Sequence, residues 1–313
     1  MITEPTALVL GAGASKDFGF PLGRDMTLGL IGALANSGNL LTQLLGQIYG
    51  EPHVSEFQKA LRLADPHSVD FFLESRPNFI PVGKAAIAGF LMPYEVEARL
   101  LSDNRRDPTW YWYLLQHFAK HWDDVAETKL RVITFNYDRT LEHYLYTTLM
   151  HRHGKTANEV ALALKQLPIV HVYGSLGKLP FQCDGPDDSV LEFGTALSRQ
   201  AIERAGNSIR IMGERTDDNL ELRKANKFLS TSKRIIFLGF GYDSTNLSRL
   251  FQYPAVPEQH FAGSGIGVKD REAELVAISL ATRQSRYDVL IDSEDHRDDS
   301  LLTYLRRRCW LAI

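Results

Sequence analysis

Short apolar runs alternate with amphipathic stretches along most of this chain. The first run, Ala7-Leu8-Val9-Leu10, gives way at once to Gly11-Ala12-Gly13-Ala14-Ser15. An unbroken apolar run closed by glycines fits a strand covered on both faces, as parallel sheets require. Comparable runs at residues 130–135, 168–173, 208–212 and 234–240 predict further strands, and 262–268 and 287–291 predict two more. Helical periodicity falls between them at 140–150, 157–167, 218–229 and 271–280. Strands and helices in alternation predict an α/β fold built on a doubly wound, mostly parallel sheet.

The alternation stops between the first strand and the second. Residues 27–49, 53–63, 68–73, 82–101 and 110–121 carry helical periodicity, broken at Pro52, Pro66, Pro77, Pro81 and Pro108. Residues 28–125 are therefore read as a helical insertion packed on the sheet and covering the ligand cleft. Residues 1–27 and 126–313 then form the core. No Gly/Ser-rich tether marks the insertion as a separate domain, and neither repeats nor low-complexity tracts occur.

Composition narrows the function classes. The 313 residues are 44% hydrophobic and 23% charged, which argues against disorder, collagen and coiled coil. Lys and Arg number 35 against 38 Asp and Glu, so no basic footprint points to nucleic acid or an anionic membrane. Arg306-Arg307-Arg308 reads as a helix C-terminal cluster answering the dipole. Two cysteines, Cys183 and Cys309, are too few for a disulfide framework or a four-cysteine zinc site. No apolar run approaches the ~20 residues of a membrane span, and the N-terminus lacks the pattern of a signal peptide. A cytoplasmic, soluble protein is the expectation.

The glycine loop carries the first chemistry. Gly11-Ala12-Gly13 directly after a strand suits a Rossmann-like tight turn, the first glycine free to take positive φ and the second clearing space for a pyrophosphate. A helix N-terminus would then face the anion. Yet Lys16 stands where dehydrogenases need a small residue, and no acidic ribose-binding residue follows on a second strand, which argues against hydride transfer. A purely structural turn remains open on these residues alone.

The loop continues through Asp17 to Gly19-Phe20-Pro21, and GAGAS followed by G-F-P resembles the nucleotide loop of the sirtuin superfamily. Members bind NAD+ and break its nicotinamide–ribose bond. The resemblance implies cofactor contacts at Gly11, Ala12, Gly13, Ser15, Asp17, Phe20 and Pro21. Thr134-Phe135-Asn136-Tyr137-Asp138 is similar to the family's T-x-N-x-D signature. In an extended segment Thr134, Asn136 and Asp138 share a face and point into one cleft. The resemblance gives Asn136 a water or the ribose to position, with Asp138 and Thr134 supporting; for Asp138 a helix cap is the competing reading.

Family members place the catalytic histidine directly before a glycine. Here Tyr173 precedes Gly174-Ser175, and His171 lies two residues earlier. Period-two geometry puts positions 171 and 173 on one strand face about 7 Å apart. The H-x-Y-G-S form of divergent bacterial relatives assigns the base to His171, with Tyr173 as a ribose or ring contact and Gly174 and Ser175 beside the cofactor; a buried structural histidine is the alternative. Gly239, Gly241 and Tyr242 resemble the later strand turn that meets the adenosine ribose and phosphates, and Ser244 or Asn246 can cap the helix that follows. Ser68-Val69-Asp70-Phe71-Phe72-Leu73 resembles a pattern of defence-associated relatives, but Ser68 as an N-cap with Phe71, Phe72 and Leu73 in the core is the simpler account.

Protein-deacylating sirtuins carry a zinc ribbon that this chain lacks. The resemblance therefore points to zinc-free bacterial sirtuin-like NAD hydrolases, which deplete NAD+ during phage infection. It implies NAD+ as substrate, nicotinamide and ADP-ribose as products, and no metal. Departure of nicotinamide passes through an oxocarbenium-like state. Asn136 would position the nucleophile and His171, with an ordinary pKa near ~6.5, would take its proton. Family habit adds a homo-oligomer and a separate trigger subunit, such as a HerA-like ATPase or an Argonaute-type guide protein. A non-catalytic sensor of NAD+ or ADP-ribose is the rival expectation. A nuclease is opposed by the balanced charge.

Overall fold

Thr6–Leu10 (β1) is buried along its whole length, and its neighbours explain why. The computed structural model describes residues 1–101, 108–183, 185–211, 219–253, 259–265, 268–284, 289–291, 300–308 and 311. β2 (Leu130–Thr134), β3 (Ile169–His171), β4 (Arg234–Leu238), β5 (His260–Gly263) and β6 (Val289–Ile291) join β1 in one sheet. The order is β3-β2-β1-β4-β5-β6 with every pair parallel. That is the Rossmann-like doubly wound order, with the direction of winding reversing between β1 and β4. Register levels the carboxyl ends: Leu10 stands opposite both Thr134 and Leu238. The loops leaving β1, β2 and β4 consequently share one edge.

Among the described residues no strand lies between β1 and β2. The helices there are α1 (Gly23–Ala35), α2 (Leu40–Tyr49), α3 (Glu51–Ala64), α4 (Val69–Ser75), α5 (Ile80–Leu91), α6 (Glu97–Leu100), α7 (Trp110–Phe118) and α8 (Trp122–Glu127). The stretch predicted at 27–49 is two helices, because Asn36, Gly38 and Asn39 form a turn and the Asn39 side chain caps Leu41 N–H of α2. The stretch 82–101 likewise divides at a 3-10 turn over Met92–Tyr94, where Pro93 cannot continue α5.

After β2 come α9 (Thr140–His153) and α10 (Ala157–Leu164), and after β3 come α11 (Arg199–Ser208) and α12 (Leu220–Thr231). β4 leads to α13 (Ser244–Leu250), β5 to α14 (Asp270–Gln284) and β6 to α15 (Leu301–Arg308). Helix α5 is buried on nearly every side and passes so close to α11 that a Cβ on Gly206 would sit 3.0 Å from Ala85 Cα. A helix apolar in all but Lys84 belongs in a core rather than on a surface.

The strand predicted at 208–212 is absent from the described part of that segment. Ser208 closes α11, and Ile209 makes only an isolated antiparallel bridge to Gly174. The apolar residues Ile209 and Ile211 are buried, but β3 offers no further edge because the chain turns at Gly174, φ +72°. Met212, Asp218, residues 266–267 and 287–288 of the two weaker strands, and Cys309 lie outside the described residues. No helix among the described residues is long and apolar enough to cross a membrane.

Candidate functional site

Two glycine loops meet at the carboxyl edge, main chain against main chain. Gly11 N–H donates to Leu238 O at 3.1 Å, and Gly13 N–H to Gly239 O at 2.9 Å. A Cβ on Gly11 would lie 2.6 Å from Gly239 O, and one on Gly13 2.7 Å from Gly239 Cα. Gly239 itself has φ +58° and is held by Ser264 Oγ on its N–H at 2.9 Å. This corrects the reading of the loop. Gly11 is extended, with φ −117°, and the missing Cβ at Gly13 makes room for Gly239. The element that follows is a 3-10 helix, Ala12–Phe18, ended by Gly19 at φ +88°.

Two hollows flank this crossing. The first, about 190 Å³, opens between the ends of β1, β2 and β4 and the helices α1, α4 and α5. Gly11, Ala12, Ser15, Phe20, Pro21, Asn136, Asp138, Gly241 and Tyr242 line it, all of them expected site residues. The second, about 640 Å³, lies toward α14 and α15 and takes Gly13, Asp17 and Gly239, sharing Ala12, Gly241 and Tyr242 with the first. Both lie at the reversal point of the sheet, where open α/β folds bind their ligands. Tyr242 between them has φ +51°, a left-handed backbone unusual for a bulky residue, and donates to Ser264 O at 2.9 Å.

A polar network organises the floor of the first hollow. Asn136 Nδ2 donates to Gly11 O at 2.9 Å and to Ser15 Oγ at 3.0 Å. A carbonyl only accepts, so the amide nitrogen must face Gly11, and Oδ1 is the atom left for a ligand hydroxyl or a water. Ser15 Oγ passes its own proton to Asp138 Oδ2 at 2.7 Å. Asp138 Oδ1 accepts from Thr140 N and Thr140 Oγ1, and Tyr111 Oη lies 2.6 Å from that hydroxyl. Asp138 thus ties Thr140, the first residue of α9, to Ser15 while lining the first hollow; it stands one position outside the N-cap, which is Arg139 and has no side-chain cap bond. Burial pushes its carboxyl above the usual range, against the pull of the Thr140 and Ser15 bonds. Thr134 stays outside the hollow; its Oγ1 accepts Asn136 N–H at 3.1 Å. The strict alternation expected for 134–138 fails because β2 ends at Thr134, and Phe135 and Tyr137 line the hollow as well.

Neither the family models nor the curated proteins compared with this chain matched it.

His171 takes a different place from the one its sequence position suggested. It does not line either hollow. Its Nδ1 lies 2.8 Å from the main-chain carbonyl of Asn136 and its Nε2 2.5 Å from Glu142 Oε1 on α9. Both partners accept, so the ring is held as a donor on both sides. Burial alone would lower its pKa; the Glu142 carboxylate and the Asn136 carbonyl outweigh that and raise it. As placed, it props the Asn136 main chain from outside both hollows. Tyr173 parts from it because β3 ends at His171. Its hydroxyl donates to Asn246 Oδ1 at 2.9 Å and accepts from Arg249 at 3.0 Å, while its ring meets Phe135 edge-on. Gly174 makes room for Ser208 O, and Ser175 bonds Gly177 O at 2.9 Å; neither borders a hollow.

Sequence reasoning missed Asp70. Ser68 does cap α4, accepting Phe71 N–H at 3.2 Å, and Phe72 and Leu73 are buried, but Phe71 is 52% exposed. The turn instead aims Asp70 at the first hollow, where it accepts a hydrogen bond from Tyr137 Oη. Asp243 and the aromatic walls Phe135, Tyr137 and Phe240 were also missed, and Asn246, expected with Ser244 as a cap, lines the hollow while Asp243 caps α13 instead. Among the described residues that line this hollow there are three aspartates and no Lys, Arg or His.

Proposed function

We propose that the chain binds NAD+ across the β1–β4 reversal point and hydrolyses its nicotinamide–ribose bond, giving nicotinamide and ADP-ribose. The observation that carries this reading is Asn136, fixed by Gly11 O and Ser15 Oγ on the wall of an aromatic, acid-lined hollow. A positively charged pyridinium on a ribose suits that lining, because aromatic faces and carboxylates both attract cations. The larger adjoining hollow takes the adenosine half, and the pyrophosphate crosses between them at Gly241 and Tyr242.

Chemically, a water attacks the anomeric carbon as the carbon–nitrogen bond breaks. The bonding pair stays on the pyridine nitrogen, which becomes neutral, and one proton is released. Asn136 Oδ1 orients the water or a ribose hydroxyl. Asp138, fed by Ser15 and Thr140, keeps the amide polarised and lies near the positive charge that develops on the sugar. His171 contributes as a positioning residue that fixes the Asn136 main chain. The motif resemblance to sirtuin-like NAD hydrolases supports a role in anti-phage defence, with activity restrained by oligomerisation and released by a partner such as a HerA-like ATPase or an Argonaute-type protein.

The location of His171 outside the hollow favours a second reading, a sensor that holds NAD+ or ADP-ribose without turnover. Nicotinamide release by the purified protein, alone and with its partner, separates the two. Hydrolysis predicts multiple turnovers and a loss of about 100-fold or more in Asn136→Ala. Release below one equivalent, unchanged in Asn136→Ala while binding persists, selects the sensor. Absence of binding to both NAD+ and ADP-ribose removes both readings.

A further inference from the structure

Resting on the NAD+ reading of this hollow, we propose that Asp70 is the specificity-determining residue that selects the oxidised, cationic nicotinamide ring over its neutral reduced form. Three carboxylates border the hollow, all bonded by neutral donors, and they differ in how many side-chain and main-chain donors hold them. Asp138 is taken by Ser15 and Thr140 on its two oxygens. Asp243 caps α13, its Oδ1 accepting Thr245 and Asn246 N–H at 3.0 Å each. Asp70 receives the Tyr137 hydroxyl, a neutral donor that fixes its direction without cancelling its charge. Arg249 bonds Tyr173 at 3.0 Å and Glu74 at 3.3 Å, and His67, whose charge pulls the Asp70 pKa down, does not line the hollow.

The surroundings sharpen the preference. Phe135, Tyr137 and Phe240 give the hollow flat aromatic walls beside this carboxylate. Burial pushes the Asp70 carboxyl up from its ordinary range, with the Tyr137 bond pulling against it, because an ionised carboxylate is poorly solvated there and gains most from a neighbouring cation. A pyridinium supplies one, and a dihydropyridine of nearly the same shape does not. The same attraction lapses on cleavage, because free nicotinamide is neutral. Asp70 therefore holds substrate and lets product go.

The test is calorimetric binding of NAD+, NADH and ADP-ribose to the full chain. Wild type is expected to favour NAD+ over NADH by about tenfold, the scale of a partly desolvated charge contact. Asp70→Asn should bring that ratio to about one, leave ADP-ribose binding unchanged, and in turnover raise KM with kcat nearly constant. Asp70→Glu should keep the preference. Equal wild-type affinities for NAD+ and NADH overturn the proposal without any variant, so a misfolded Asp70→Asn does not shelter it. A wild-type ratio retained in Asp70→Asn overturns it equally. If wild type binds none of the three ligands, the NAD+ reading itself fails and this proposal falls with it.

Discussion

Replacing Gly239 with alanine and, separately, Gly241 with alanine separates what the fold requires from what a ligand requires. At Gly239 the new Cβ would lie 2.2 Å from Ala14 N and 2.3 Å from Gly13 C, in a backbone with φ +58°. The left-handed conformation costs a side-chain-bearing residue about 1–2 kcal/mol. Forcing a methyl into packed main chain adds about 1–3 kcal/mol, and main-chain atoms have no rotamer through which to escape. Together these predict a loss of about 2–5 kcal/mol, a large share of the roughly 5–15 kcal/mol that holds a typical domain. Gly241 is the contrast: it is exposed, lacks positive φ, and a Cβ there meets nothing within 4 Å. Its alanine variant should unfold within about 0.5 kcal/mol of wild type. Because Gly241 borders both hollows, the same methyl should weaken NAD+ roughly tenfold, in keeping with a clash of ~1–3 kcal/mol. Urea titration followed by circular dichroism reads the first effect, and calorimetry reads the second. A Gly239→Ala loss below about 1 kcal/mol would refute the steric argument, and a Gly241→Ala protein binding NAD+ normally would refute the proposed path of the dinucleotide.

Arg139 and Glu95, 2% and 1% exposed in their side chains, form a bidentate pair joining α9 to the helical segment. Arg139→Met alone should cost about 3–5 kcal/mol by stranding a buried carboxylate, and Arg139→Met with Glu95→Leu should recover much of it, read by denaturant midpoints. Acidity acts on the His171–Glu142 pair with a definite sign. The folded-state pKa of His171 is raised, so the pair's stabilisation is complete below the unfolded value near ~6.5 and is lost as pH climbs through the folded value. The stability gap between wild type and Glu142→Gln should therefore be widest at mildly acidic pH and close at alkaline pH; a gap that widens with pH contradicts the assignment.

Strands were legible where short apolar runs stood between helical stretches, since burial on both faces leaves an unambiguous pattern; β1 and β4 run into glycine and β2 into Asn136, and all three lie within or beside their expected bounds. The run at 208–212 misled because Ile209 and Ile211 are buried like strand residues, yet their backbone meets only the turned end of β3. α11 buries Ala201, Ile202, Ala205 and Gly206 at helical spacing, a stripe easily passed over because three of its four residues are alanine or glycine. In the site, the spacing of Asn136 and Asp138 was informative because both sit in one short loop. His171 was not placed correctly because its direction depends on Glu142, a residue 29 positions away whose role only the folding of α9 onto β3 reveals. Asp70 escaped for the same kind of reason: one helical turn looked like a cap and core, and its third purpose needs the sheet edge opposite.

The crossing of Gly11 and Gly13 with Gly239 has an evolutionary corollary. Its contacts are between main-chain atoms, so neither loop can change length or acquire bulk without the other yielding in step. Variation in relatives of this chain should accumulate on the outer rims of the two hollows, while the three glycines persist or vanish as a set.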